Sequence, residues 1–392
     1  MDHARAPAGT ALYVHLPYCA AKCSYCDFFS LPAAGQDLEG TLEALIAEAR
    51  RNAPPAPRTV FLGGGTPSLY PAQSLRRLLD ILDDTTGWRS SAVEVTAECN
   101  PESLDGAKAE ALLDAGVTRL SIGFQSLDPA RLALFGRVHS PAMSFAAFDA
   151  ARSAGCAHIN VDLIYAAPGQ GLDEWRAELD TVLALEPDHL SAYNLTIEPG
   201  TAFARWHARG EVHGLDDELE LAQFYAARQA CRAAGLEPYE VSNYARQGEA
   251  CRHNVGYWEN REYVGIGPSA VSKVGARRFG NPRSIEPWRR RARAGEPAEE
   301  WSEELAGIAR LGETWWLGLR LARGLSPAEA WERAGWQPTD AELDPALAVA
   351  REHVGHGLLA MDGDRYRLSE RGLAVADGIG RRFIELGSRT GA

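Results

Sequence analysis

The sequence predicts an α/β fold: an open, partial, TIM-like parallel barrel of about six strands, followed by a small winged-helix-like domain. Three observations lead there. Short β-rich runs alternate with helical stretches rich in Ala, Leu, Glu and Arg. Most runs are apolar on one face and polar or small on the other. From about Trp301 the pattern changes to helices followed by a hairpin.

The expected strands are Leu12–Leu16, Thr59–Leu62, Val93–Glu98, Arg119–Gln125, His158–Tyr165 and His189–Thr196. Helical segments such as Leu38–Arg51 and Leu75–Asp84 lie between them. Strands that alternate with helices form βαβ units and a parallel sheet. Six units are too few for a closed eight-stranded barrel and suit an open one. Successive strand side chains point to opposite faces. In the third strand Val93, Val95 and Ala97 oppose Glu94, Thr96 and Glu98; in the fourth Leu120, Ile122 and Phe124 oppose Ser121, Gly123 and Gln125. Leu12, Val14 and Leu16 oppose Tyr13 and His15, while Asn160 and Asp162 share a face of the fifth strand. A simple buried parallel strand is apolar on both faces. Here the apolar face is expected on helices and the polar face in a solvated or ligand-filled lumen. An antiparallel sheet with one face in water is the alternative. Glu304–Leu321 and Pro327–Ala334 read as helices, Leu358–Leu368 as a hairpin turning at Asp362-Gly363-Asp364, and a last helix follows from Glu370. The Pro- and Arg-rich Asn281–Pro297 reads as a linker. The expected division is residues 1–245 for the barrel, 246–300 for a motif-bearing segment and linker, and 301–392 for the small domain.

The 392 residues carry a net charge of −13, which argues against a nucleic-acid partner. Met1–Thr10 has no apolar signal core, and no apolar run approaches the roughly 18 residues of a membrane span. Seven cysteines, an odd and mostly scattered set, do not read as a disulfide framework. A cytoplasmic location is expected. Peripheral membrane contact and homodimerisation stay open.

The chemistry concentrates at strand ends, where parallel barrels hold their ligands. The first strand runs into Cys19-Ala-Ala-Lys-Cys23-Ser-Tyr-Cys26. Three thiolates this close can hold three irons of a [4Fe–4S] cubane and leave the fourth iron for a substrate. A structural zinc site is the alternative; it wants a fourth ligand at short spacing, and none lies nearby. Cys99 follows Glu98 and should face the helices. The second strand ends in Gly63-Gly64-Gly65-Thr66-Pro67, where glycines let backbone approach a ligand, or simply turn tightly. Glu98 and Gln125 end the third and fourth strands.

With these residues in view, the sequence resembles the radical SAM proteins, and within them the coproporphyrinogen III oxidase-like family, which holds both porphyrin decarboxylases and haem chaperones. The resemblance rests on Tyr13-Val-His-Leu-Pro-Tyr-Cys19-x-x-x-Cys23-x-Tyr25-Cys26-Asp-Phe28, Gly-Gly-Gly-Thr-Pro, Glu98-Cys-Asn-Pro101, Ser121-Ile-Gly-Phe-Gln125-Ser, Gly136-Arg137-x-His139 and Asn160-Val-Asp162-Leu-Ile-Tyr165. It covers nearly the whole chain. It implies that Cys19, Cys23 and Cys26 hold the cluster. It also implies that Tyr13, Gly64 and Glu98 contact the first S-adenosylmethionine, and that Tyr25, Gly65, Thr66, Gln125, Arg137 and Asp162 make further S-adenosylmethionine contacts. Arg137 can pair with a carboxylate, while Glu98 and Asp162 can accept from hydroxyls or ammonium. Each acidic residue could equally sit in a structural ion pair.

Two features bear on the branch. The decarboxylases of the family carry an extra Cys two residues after the third; here that position is Phe28. His253-Asn-Val-Gly-Tyr257-Trp258 is similar to the H-N-x-x-Y-W motif of the haem-chaperone branch. A His can ligate haem iron and aromatic rings can cover the macrocycle; a buried core His with two packed aromatics is the alternative. The resemblance implies a haem chaperone with haem-accepting proteins as partners, and a flavodoxin or ferredoxin as electron donor for any S-adenosylmethionine cleavage. Coproporphyrinogen III decarboxylation and a radical enzyme of unknown substrate are the competing expectations.

Overall fold

The computed structural model describes residues 6–337 and 344–388. The first five residues of the Met1–Thr10 stretch, and parts of the 301–392 segment, lie outside them. The six expected strands form as β1 (Ala11–Leu16), β2 (Thr59–Gly64), β3 (Glu94–Cys99), β4 (Arg119–Gln125), β5 (His158–Tyr165) and β6 (His189–Asn194). They pair in parallel in that order, so the antiparallel alternative is overturned. Helices α1 (Leu38–Asn52), α2 (Ala72–Thr86), α3 (Gly106–Asp114), α4 (Pro141–Ser153) and α5 (Leu172–Leu183) make the crossovers. Their ends are set locally. Asp37 accepts the Gly40 amide (2.8 Å) at the start of α1, Ser140 caps α4 ahead of Pro141, and Gly87 ends α2 at φ +70°.

The apolar strand faces pack as expected. Leu12, Val14 and Leu16, Leu120, Ile122 and Phe124, and Val161 and Leu190 are buried in one core with Leu42, Leu75, Leu79 and Trp175 of the helices. The opposite faces bring Thr96, Glu98, Ser121, Asn160, Asp162 and Ser191 into the lumen.

After α6 (Asp217–Ala233) the chain departs from the expectation. β7 (Asn243–Ala245) adds antiparallel to β6. Helix α7 (Arg252–Trp258) leads into β8 (Tyr263–Ile266), which lies parallel to β1 on its free side, Ala11 opposite Tyr263. The parallel part therefore has a seventh strand, supplied from late in the chain. β9 (Val271–Val274), β10 (Arg277–Gly280) and β11 (Trp301–Glu304) extend that edge antiparallel, and the short strand Glu237–Pro238 pairs with β7 at the other, so among the described residues the sheet has twelve strands.

Asn281–Pro297 is not a linker. It holds α8 (Ile285–Ala294), packed on α1 through Ile285, Trp288 and Ala292. Trp288 Nε1 donates to Glu48 Oε2 at 2.7 Å. A separate core, centred on Leu311, Trp315, Leu347, Tyr366 and Phe383, holds the C-terminal elements together. These are α9 (Gly307–Arg320), α10 (Pro327–Ala334), α11 (Pro345–Gly355), the hairpin β12 (Leu359–Asp362) and β13 (Arg365–Leu368), and α12 (Ala376–Ser388). No helix among the described residues is long and apolar enough to cross a membrane.

Candidate functional site

A chamber of about 490 Å³ opens at the C-terminal ends of the parallel strands. Its lining includes Cys19, Cys23, Tyr25, Cys26, Gly64, Gly65, Thr66, Glu98, Gln125, Arg137 and Asp162. Eleven of the thirteen residues singled out from sequence therefore converge. Tyr13 and His253 do not line the chamber. Tyr13 is set back, its phenol on His15 Nδ1 (3.0 Å) and its ring against Phe61. Cys99 lies in the core with its thiol toward Ala97 O.

The cysteine loop is locked to the glycine turn by backbone. Gly65 N donates to Leu16 O (2.7 Å) and Thr66 N to Tyr18 O (2.8 Å). A Cβ at Gly65 would stand 2.6 Å from Leu16 O and 2.7 Å from Tyr18 N, so only glycine permits this approach. Gly64 sits at φ +100°, and a side chain there would strike the His15 ring. That ring is fixed in turn by Phe29 O (2.8 Å), and burial lowers its pKa to about 4, which keeps it neutral.

Arg137 joins two loops. Its Nη1 lies 3.5 Å from Cys23 Sγ, and its Nη2 donates to Asn100 Oδ1 (2.6 Å) and Gly123 O (3.0 Å). Asn100 Nδ2 passes the link on to Thr66 Oγ1 (2.8 Å). Gln125 holds φ +64° where the β4–β5 register slips, which turns the chain inward after the strand. Asp162 accepts from Ser121 Oγ (2.9 Å) and Asn160 Nδ2 (2.8 Å). Among the described residues Glu98 accepts the Gly64 amide alone (3.1 Å), and burial, with the Asp162 charge behind it, pushes its carboxyl up to about 8. Burial likewise raises the thiols of Cys19 and Cys26.

Several lining groups were not singled out from sequence. Asn100 follows Glu98 in a quoted motif, but its bridge from Thr66 to Arg137 is a tertiary fact. Thr96 and Arg119, on the polar faces of β3 and β4, present Oγ1 and Nη1 without a hydrogen-bond partner among the described residues, though both side chains are buried. Buried orphan donors in a chamber wall are what a polar ligand would satisfy.

The donor set fits the cofactors of such a chamber. No three His, Cys, Asp or Glu among the described residues converge on a single-ion position. A cubane asks for something else, one thiolate on each of three irons. A cation beside Cys23 and an open, glycine-floored chamber suit an anionic cluster and a small ligand, and the volume lies in the range of about 300–1,000 Å³ usual for small-molecule sites.

His253 stands at the other end of the barrel. Its Nδ1 meets Thr59 Oγ1 (2.8 Å), at the start of β2, and its Nε2 meets Tyr257 OH (3.0 Å). Thr59 and Gly63 are four residues apart, about 13 Å along a strand. The ring stacks on Phe61 (centroids 4.9 Å apart), is 2% exposed, and burial lowers its pKa to about 3.

An open α/β barrel with three clustered cysteines at the ligand end defines a radical SAM protein, and the Radical SAM superfamily model matches residues 13–182. Over the full length the chain is 37% identical to the heme chaperone HemW of Mycobacterium tuberculosis, covering 95% of this chain and 94% of that one. It is 35% identical to the mitochondrial radical S-adenosyl methionine domain-containing protein 1 of Mus musculus (94% and 86%), and 32% identical to the heme chaperone HemW of Bacillus subtilis (82% and 86%). The coproporphyrinogen III oxidase HemN of Escherichia coli has the same fold, with a TM-score of 0.80 at 21% identity over 97% of this chain and 90% of that one. The chain belongs to the radical SAM superfamily, in the family of the HemW proteins.

Proposed function

We propose that this protein is a haem chaperone that binds haem and delivers it to haem-accepting proteins. The observation that carries the reading is its likeness, over 95% of its length, to a protein named for that role. Phe28 supports it. The side chain is 69% exposed at the chamber mouth, in the place where the family's decarboxylases carry a cysteine. In this reading Cys19, Cys23 and Cys26 hold a [4Fe–4S] cluster, which supplies redox chemistry and an open iron site when bound. Gly64 and Glu98, with Tyr13 behind them, hold a first S-adenosylmethionine; Tyr25, Gly65, Thr66, Gln125, Arg137 and Asp162 make the further S-adenosylmethionine contacts.

His253 is the candidate axial ligand of haem. Iron competes for the nitrogen that meets Tyr257, so the phenol must swing aside as haem binds. A cytoplasmic chain of net charge −13 with a flavodoxin or ferredoxin donor completes the picture. So does a homodimer or membrane contact during delivery.

The deciding assay is anaerobic: reconstituted protein, reductant, S-adenosylmethionine and coproporphyrinogen III, followed in parallel by haem titration. The proposal expects saturable haem binding and no porphyrinogen turnover. Turnover with release of 5′-deoxyadenosine would establish the decarboxylase instead.

A further inference from the structure

A second cavity, of about 350 Å³, lies at the base of the barrel, at the N-terminal ends of the strands. Ala11, Thr59 and Tyr263, the first residues of β1, β2 and β8, all line it. The cluster chamber and this cavity share one partition, the start of α7. Cys251 and Asn254 face the chamber, whereas Arg252, His253 and Val255 face the base. Of the two cavities only the basal one reaches His253.

The basal wall is chemically distinct. Three rings run inward in succession: Tyr263, Tyr257 at 4.7 Å between centroids, then His253 at 4.9 Å. At the rim stand Arg58, Arg252 and Arg261, all exposed. Arg261 is committed to Glu259. Arg58 and Arg252 have no ion-pair partner among the described residues. The carboxylates that share the cavity are engaged elsewhere, Glu259 with Arg261 and Arg323, and Glu262 with the Gly275 amide. The cavity thus offers aromatic walls, a nitrogen ligand at its end and two free guanidinium groups at its mouth.

We propose that haem enters at this basal cavity, on the face opposite the cluster, with its two propionates on Arg58 and Arg252 and its iron directed toward His253. The assignment rests on the haem-chaperone reading and adds where the ligand sits and what anchors it. Guanidinium groups recognise carboxylates through paired, charge-assisted hydrogen bonds. The cluster chamber is left to S-adenosylmethionine, so both ligands bind at once.

The test is Soret titration of the full-length, cluster-loaded protein with haem and with haem dimethyl ester, whose propionates are blocked. Wild type should bind the ester about 100-fold more weakly than haem, on the order of tenfold per lost anchor. The Arg58→Glu/Arg252→Glu variant should bind haem about as weakly as wild type binds the ester, and its ester affinity should stay unchanged. Tyr257→Phe, which removes the competing phenol, should tighten haem binding several-fold. Undiminished haem affinity in the double Arg variant, with His253→Ala losing the ligand-field spectrum, overturns the basal anchors while the axial-ligand reading stands. Wild-type spectrum and affinity in His253→Ala overturn that reading itself, and this site with it.

Discussion

Glu94 and Glu98 stand four residues apart on the same face of β3, and the strand treats them oppositely. Glu94, at the base, accepts from Arg119 Nε (3.2 Å), Cys251 Sγ (3.4 Å) and the amides of Arg252 and His253 (both 3.1 Å). Glu98, at the chamber, accepts one amide and is held toward its protonated form. One carboxylate fastens α7 across the barrel floor. The other is left under-satisfied in the chamber wall. A buried polar group with its partners supplied stabilises the fold; one without them is available to something that arrives later.

The largest expected effect breaks the chamber side alone. Replacing Cys19, Cys23 or Cys26 by Ala should reduce cluster iron from about four per chain to background, since in the proposed site each thiolate would hold a separate iron. Far-UV circular dichroism should stay unchanged, because none of the three is in the core. Loss of folding along with iron would refute the separation of the two ends.

Next is the base. Glu94→Ala leaves the Arg119 guanidinium, itself only 4% exposed, without its closest carboxylate, and strips α7 of an acceptor for two amides. Glu249 stays 3.7 Å from Arg119 Nη2, so the loss should fall below the about 3–5 kcal/mol of a fully uncompensated buried charge. Denaturant unfolding should show that loss, and S-adenosylmethionine affinity should change far less than stability.

Glu98→Gln should do the reverse, weakening S-adenosylmethionine binding by about tenfold, because Gln cannot ionise to meet the ligand's cationic groups. The sign of its pH effect is distinctive. A carboxyl whose pKa rises on folding contributes fully below its ordinary value of 4.5 and loses that contribution as pH climbs toward about 8. Ligand-free wild type should therefore lose stability across that window, and the variant should show a flatter curve. Thermal unfolding at pH 5 and pH 9 reads the difference. An equal slope in both would mean that Glu98 is not the group responsible.

The smallest change probes the partition. Phe61 touches the chamber with one edge and stacks on His253 with its face. Phe61→Leu should cost about 1 kcal/mol of stability through lost ring packing. A shift in both haem and S-adenosylmethionine affinity would show that the two cavities communicate.

What could be seen in the sequence was whatever lies in contiguous runs. The six consecutive strands alternate cleanly, so their order, faces and ligand end followed. The cysteine loop, the glycine turn and the ends of β3 and β4 were legible because each is a local motif at a strand end. β8 was missed because four residues, Tyr263–Ile266, pair in parallel only through a contact more than two hundred positions away. α8 was misread as a linker. Its Arg-rich composition hid the apolar stripe of Ile285, Trp288 and Ala292, whose spacing is helical. Glu304, expected to begin a helix, instead ends the edge strand β11. His253 was singled out by its motif, but no local pattern shows that it faces away from the cysteine loop. That required the floor of the barrel to be built.

The pairing of β1 with β8 also bears on how the chain is made. Ala11 leaves the ribosome early and meets Tyr263 only some 250 residues later, on the order of 10–50 s of synthesis. Until then one edge of the first strand has open hydrogen-bonding groups, and an open edge invites a neighbour's strand. Nascent chains thus pass through a window in which they need shepherding. Slowed translation between β1 and α7, or crowding of polysomes, should raise the aggregated fraction more than an equal slowing past β8.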